Sequence, residues 1–161
     1  MSPETQLEIV LRVLVALFIG AMIGIEREYR GHSAGVRTLA MVSVGAAIFT
    51  AVGVYVAPAH VTDPTRIAAQ VVTGVGFLGA GAIFRAEDGV KGLTTAATVW
   101  VVAALGMAVG FNLYLIAVAG AVIVLVGLVL VRPLEIRFLR PPSHPMRRRD
   151  DELADTPDAS P

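Results

Sequence analysis

Residues 93–131 read LTTAATVWVVAALGMAVGFNLYLIAVAGAVIVLVGLVLV, without a single Asp, Glu, Lys or Arg. The stretch divides at Gly110-Phe111-Asn112 into two apolar runs, Leu93–Val109 and Asn112–Val131. A helix needs about 20 mostly apolar residues to cross ~30 Å of hydrocarbon. Each run is close to that length, and the break between them is short enough to make an antiparallel hairpin. Working outward, three more apolar runs precede this pair: Leu7–Ile25, Val36–Ala57 and Ile67–Phe84. The fold class that follows is all-α, a polytopic membrane protein of five transmembrane helices.

Composition agrees with that reading. The mean hydropathy of the 161-residue chain is +0.72. Charged residues make up 16% of it, where a soluble domain carries about a quarter. The formal net charge is zero, which gives no argument for a nucleic-acid partner. The chain contains no cysteine, so disulfides, thiolate metal sites and cysteine nucleophiles are excluded. The first run is longer than a signal-peptide core and no basic residue precedes it, so it reads as a span. Within it, Glu8 and Arg12 stand four apart with the acid first, the order that favours a local ion pair. Arg12 is also expected to snorkel towards the interface.

Orientation comes from the basic residues. All of them except Arg12 and Arg66 lie after span 1, at the start of span 2, after span 3 or after span 5. The excess of Lys and Arg on cytoplasmic loops places the C-terminus in the cytoplasm and the N-terminus outside. That arrangement needs an odd number of spans. Asp63-Pro64 supplies a cap and a first-turn proline for span 3, and Pro133 is expected to end span 5. Residues 1–139 form the transmembrane domain. Residues 140–161, rich in Pro and mixed charge, predict a disordered cytoplasmic tail. Its triplet Arg147-Arg148-Arg149 is a minor candidate for anionic lipid contact, offset by Asp150, Asp151 and Glu152.

Helices in lipid associate through small residues that let backbones approach. Gly20 and Gly24 form such a pair in span 1, Gly106 and Gly110 another in span 4, and Ala117 and Ala121 a weaker one in span 5. Packing within the chain is the first expectation for these faces, and a homodimer is the alternative. Span 3 is the most distinctive. Arg66, Gln70 and Thr73 fall within about 60° of one another on a helical wheel. Gly74, Gly76, Gly79 and Gly81 follow. Polar residues in a span usually face the bundle interior, so this stripe is expected inside, packed around a glycine face or lining a solute pathway. Gly76→Leu is accordingly expected to cost a few kcal/mol by overpacking.

A second polar set lies at the cytoplasmic ends of the spans: Glu26, Arg27 and Glu28, then Arg37 and Thr38, then Arg85, Glu87 and Asp88, then Thr94, Thr95 and Thr98. Glu26 with Arg37, and Arg85 with Glu26 or Glu28, are the candidate ion pairs. Thr94 and Thr98 share a face and are placed to bond across to span 3, and Trp100 is expected to pack inside. Enzyme chemistry finds no purchase. His32, His60 and His144 all lie in loops or the tail, and zinc-protease, nucleophile-elbow and phosphate-loop motifs are missing. No cofactor is implied. A magnesium channel is disfavoured because spans 2 to 5 carry no carboxylate, the ligand that hard cations prefer. A cytoplasmic sensing site on Glu26, Glu28, Glu87 or Asp88 stays open.

The strings Gly24-Ile-Glu26-Arg27-Glu28, Gly35-Val36-Arg37-Thr38, Arg66 through Gly81, and Gly92-Leu93-Thr94-Thr95-Ala96-Ala97-Thr98-Val99-Trp100 together resemble the bacterial MgtC/SapB family over about residues 7–131. The resemblance implies a multi-pass protein of the bacterial inner membrane, associated with growth under magnesium limitation and, in pathogens, with survival inside host cells. It further implies a regulator rather than a magnesium transporter, with the proton-translocating ATP synthase as one proposed membrane-protein partner. Glu26, Arg37, Arg66, Gln70, Thr94 and Thr95 fall in the family's motifs. Longer members carry a folded cytoplasmic domain after span 5, so this sequence is expected to be of the short form. A small ion or solute transporter, with its pathway along span 3, is the competing expectation.

Overall fold

The computed structural model describes residues 2–56, 63, 65–86 and 89–138. Five helices follow in order: α1 (Pro3–Tyr29), α2 (Val36–Val56), α3 (Thr65–Gly81), α4 (Leu93–Gly110) and α5 (Tyr114–Phe138). Each apolar run of the sequence forms one of them. Four are long and apolar enough to cross a membrane: α1, α2, α4 and the Tyr114–Val131 part of α5. The 17 residues of α3 are fewer than in these four.

Local chemistry explains the boundaries. Ser2 caps α1, its hydroxyl accepting from the Thr5 amide, with Pro3 in the first turn; proline is favoured there because its missing N–H has no partner to lose. The turn from α4 to α5 uses Asn112 at φ 66°, a left-handed position that Asn tolerates. There the Leu113 amide donates back to Ala108 at 2.8 Å and closes the hairpin. Between α3 and α4 the chain forms a small antiparallel ladder, β1 (Phe84–Ala86) against β2 (Gly89–Lys91), where the sequence reading had a plain loop. It returns the chain to Gly92, at φ 91°. A methyl group there would collide with the carbonyl of Ala82, so glycine is required for conformation and for space.

Residues 1–127 make one compact unit, and the second unit, from Leu128, consists among the described residues of the last turns of α5. Pro133 does not end α5, which runs on to Phe138. A proline removes one backbone hydrogen bond, and a helix can absorb that loss with a local adjustment. The tail, His60, His144, Pro64, Glu87 and Asp88 lie outside the described residues.

The core of the first unit is the trio α1, α2 and α4. It is built from small side chains, with Ala16, Ala40, Ala46, Ala47, Ala51 and Ala103 all buried. Glycines bring the backbones together. A methyl at Gly20 would sit 2.5 Å from the Leu39 carbonyl oxygen and 2.8 Å from Ser43 Cβ. At Gly24 it would meet the backbone of Val36, at Gly106 the backbone of Ser43, and at Gly110 Thr50 and the Ala47 carbonyl. Both glycine pairs therefore pack against α2 within the chain. Large apolar side chains point outward instead, among them Phe18, Phe49, Phe77, Leu115 and Ile123. An apolar exterior around buried polar groups is the pattern of a protein solvated by lipid. This is a membrane protein.

The two remaining helices are peripheral. α5 docks by Ala117, Gly120 and Ala121, Gly120 lying against Leu105 of α4. α3 docks by Ala68, Val75 and Gly79, the last facing Ala96 of α4. That face is about 180° from the Arg66–Gln70–Thr73 stripe at 100° per residue. The expectation of an inward polar stripe is therefore reversed: Arg66, Gln70 and Thr73 are all exposed. Gly74, Gly76 and Gly81 face open space and do not pack. Trp100 is likewise outside, 52% exposed, because the inward face of α4 is taken by Thr95, Val99, Val102 and Gly106.

Candidate functional site

Two buried arginines tie the core together. Arg12, at 5% exposure, donates to the carbonyl of Gly110 at 3.1 Å, to Glu8 at 2.5 Å and to the hydroxyl of Tyr55 at 3.2 Å. The Tyr55 ring also lies 5.7 Å from the guanidinium carbon, within cation–π range. Gly110 is the last residue of α4, so a positive charge meets the negative end of that helix and one of its unsatisfied carbonyls. Arg12 does not snorkel outward: it is held by groups from α1, α2 and α4.

Arg27, at 2% exposure, performs the matching task at the other end of α1. Its guanidinium donates to the Thr95 hydroxyl at 2.7 Å, joining the end of α1 to the first turn of α4. The next residue, Glu28, reaches across the α1–α2 turn and accepts the Val36 amide at 2.9 Å. It thereby caps α2 from a neighbouring helix. Gly35 leaves room for that carboxylate, since a methyl there would overlap it. Glu26 pairs with Arg30, one turn on, at 2.5 Å.

The sequence candidates therefore separate. Arg27 and Thr95 come together at the α1–α4 junction, while Glu26 turns to Arg30 at the end of its own helix. Arg37, Thr38 and Thr94 are exposed, and Glu26 does not pair with Arg37. Arg85 is exposed and joins neither Glu26 nor Glu28 in an ion pair among the described residues. Thr98 is buried but bonds to the Thr94 carbonyl in its own helix at 2.7 Å, where a bond to span 3 was expected. Thr73 makes the equivalent bond to Ala69 at 3.1 Å.

Sequence reasoning missed Tyr55 as a partner of Arg12, and it missed Ser43 and Thr50. The latter two are buried in α2 under Gly106 and Gly110. A seven-residue spacing places them on one helix face, and that was the available signal. Among the described residues no three His, Asp or Glu side chains gather closely enough to hold a metal ion.

Outside the core, α2 and α3 diverge to leave a groove of about 760 Å³ lined by Met41, Gly45, Phe49, Val71, Gly74 and Leu78, with Arg66 and Gln70 towards one end. A smaller cleft of about 280 Å³ lies between α3 and α4, beside Val72, Trp100 and Phe111.

Comparison with known proteins finds relatives by sequence, while no solved structure matches. An uncharacterised protein of Synechocystis is 44% identical over 137 residues, covering 85% of this chain and 58% of its own length. The protein of Escherichia coli K12 called putative magnesium transporter YhiD is 41% identical over 143 residues, covering 85% of this chain and 66% of its own. MgtC of Salmonella typhimurium LT2 is 44% identical over 123 residues, covering 76% and 52%. The chain thus spans between about half and two thirds of the length of these relatives. The MgtC family model matches residues 13–137, a segment that runs from the turn after Arg12 through the Arg27–Thr95 junction to the end of α5. This chain belongs to the MgtC family.

Proposed function

We propose that this chain is a non-catalytic, multi-pass protein of the bacterial inner membrane, acting in adaptation to low magnesium by regulating another membrane protein. In this reading all five helices span the bilayer, α3 included. Its 17 residues give about 25 Å of helix, enough with Arg66 reaching the interface. The N-terminus lies outside and the C-terminus in the cytoplasm, as the distribution of Lys and Arg favours.

One observation carries the reading. Both buried arginines are engaged in joining α1, α2 and α4, and the space between them is closed by backbone-to-backbone contacts such as Gly106 on Ser43. A core packed this way acts as a rigid platform, and the sparsely packed helix α5 offers an apolar face to a neighbour in the bilayer. The name of the Salmonella relative and the magnesium-related name of the E. coli one support the physiological setting. The proton-translocating ATP synthase is the partner that the family resemblance suggests.

Mild-detergent purification from native membranes tests this. A membrane protein retained in stoichiometric amount is expected; recovery of this chain alone, from folded preparations, counts against it. A second reading, solute movement along α3, draws on Arg66 and Gln70 in the α2–α3 groove. It predicts magnesium, proton or phosphate flux in proteoliposomes that Gln70→Leu alters. The regulator reading predicts no flux.

A further inference from the structure

The α2–α3 groove has a direction. It runs along α3 from Arg66 to Leu78, twelve residues or about 18 Å of helix. That is close to the ~15 Å depth of a single leaflet's hydrocarbon. Its cation and its amide sit together towards one end, one helical turn apart, and the remaining length is lined by aliphatic and aromatic side chains and two glycines. Gly45 and Gly74 each have open space where a side chain would project, so none of the described residues fills the groove there. Near Arg66 it narrows, where Gly53 of α2 approaches Ile67 of α3.

Arg66 is exposed and makes no ion pair among the described residues. It differs in this from Arg12, the other arginine on its side of the molecule, whose terminal nitrogens bond to Gly110, Glu8 and Tyr55.

We propose that this groove is a binding site for an anionic phospholipid, with one acyl chain lying between α2 and α3, the headgroup phosphate held by Arg66 and the ester region by Gln70. A guanidinium is suited to phosphate because it offers two parallel donors. Gln70 adds an N–H donor one turn deeper, in reach of the ester region. The lipid comes from the leaflet at the N-terminal end of α3.

A second copy of the chain fits less well. Two copies in one membrane share an orientation, and a twofold axis along the membrane normal would set their grooves face to face. Both Arg66 side chains would then meet at one depth, with Asp63 the one carboxylate between α2 and the end of α3.

The inference rests on α3 lying in the bilayer, and the experiment separates the two claims. Purified protein in detergent is titrated with phosphatidylglycerol or phosphatidylcholine, and bound lipid is counted by native mass spectrometry. The wild type is expected to prefer phosphatidylglycerol by about tenfold. Arg66→Gln is expected to lose the preference with unchanged helicity, and Gly74→Leu to reduce the binding of both lipids by filling the groove. Equal retention of the two lipids by the wild type, or an undiminished preference in Arg66→Gln, overturns the proposal. Because the chain has no cysteine, Gly74→Cys gives a clean second readout in native membranes. Shielding from a water-soluble maleimide is expected. Reaction with it removes α3 from the bilayer and overturns the five-span reading and the site together. Shielding without lipid preference overturns the site alone. An intermolecular disulfide through Gly74→Cys gives the groove to a second copy and overturns the lipid assignment.

Discussion

Arg12 and Arg27 stand on one helix about 22 Å apart, each inside the protein and each bonded to α4. Charged side chains in a bilayer are costly unless paired, so what remains unpaired after a substitution decides its effect. Thr95→Val keeps the shape of the site and removes one acceptor of a buried guanidinium. It is expected to lower stability by roughly 1–3 kcal/mol, read as a fall in the thermal midpoint in detergent. Thr94→Val, at the adjacent exposed position, is expected to stay within about 0.5 kcal/mol. Equal effects would mean that the Arg27–Thr95 bond does not hold the junction. Glycines divide in the same way. Gly106→Leu must push into the backbone of Ser43, whereas Gly76 faces open space. The first is expected to abolish folded protein or cost several kcal/mol by overpacking, and Gly76→Leu to be tolerated, as judged by detergent size-exclusion profiles.

At the scale of elements, helix existence was readable because each apolar run is long enough to fold as one helix, whereas extent was not at α1 and α5, which run on past their apolar stretches to Tyr29 and Phe138. The chain from Leu93 to Val131 forms two helices that break at the Gly110–Asn112 turn, as its composition requires. Helix orientation was readable only in part. On α1 and α4 the glycine pairs marked the packed faces, since close backbone approach leaves few alternatives to glycine. On α3 the wheel grouped Arg66, Gln70 and Thr73 correctly but could not say which way the group points. The rule that polar residues face inward fails there for a physical reason. Arg66 lies in the first turn of its helix, where a long side chain can extend beyond the helix end, and Thr73 satisfies its hydroxyl on its own backbone. Neither needs a partner in the core. The inward face is instead Ala68, Val75 and Gly79, small residues in a helix full of small residues, which carry no contrast. Glu28 gives an element-scale prediction. Its carboxylate caps α2 from α1, so Glu28→Ala is expected to cost about 1 kcal/mol. Hydrogen exchange should quicken at the first amides of α2 and remain unchanged in α4. Uniform quickening of both helices would deny the cap its local role.

On the scale of the whole molecule, the first unit reads as a locked trio with two attachments. α1, α2 and α4 enclose the buried polar groups, while α3 and α5 lie on the outside with wide apolar faces. Transport needs a path between the two ends, and this core is closed by small-residue contacts along α2. Association needs only a firm surface. Leu115 and Ile123, at 84% and 70% exposure, mark the outward side of α5. The most direct measurement is photo-crosslinking in native membranes from a benzophenone residue placed at Leu115, at Ile123 and, for comparison, at Phe18 of α1. Adducts of one defined membrane protein at the two α5 positions, and lipid adducts alone at Phe18, are the predicted result. Lipid adducts at all three positions, in cells where the protein is functional, would contradict the account of this chain as a regulator that acts through contact in the membrane.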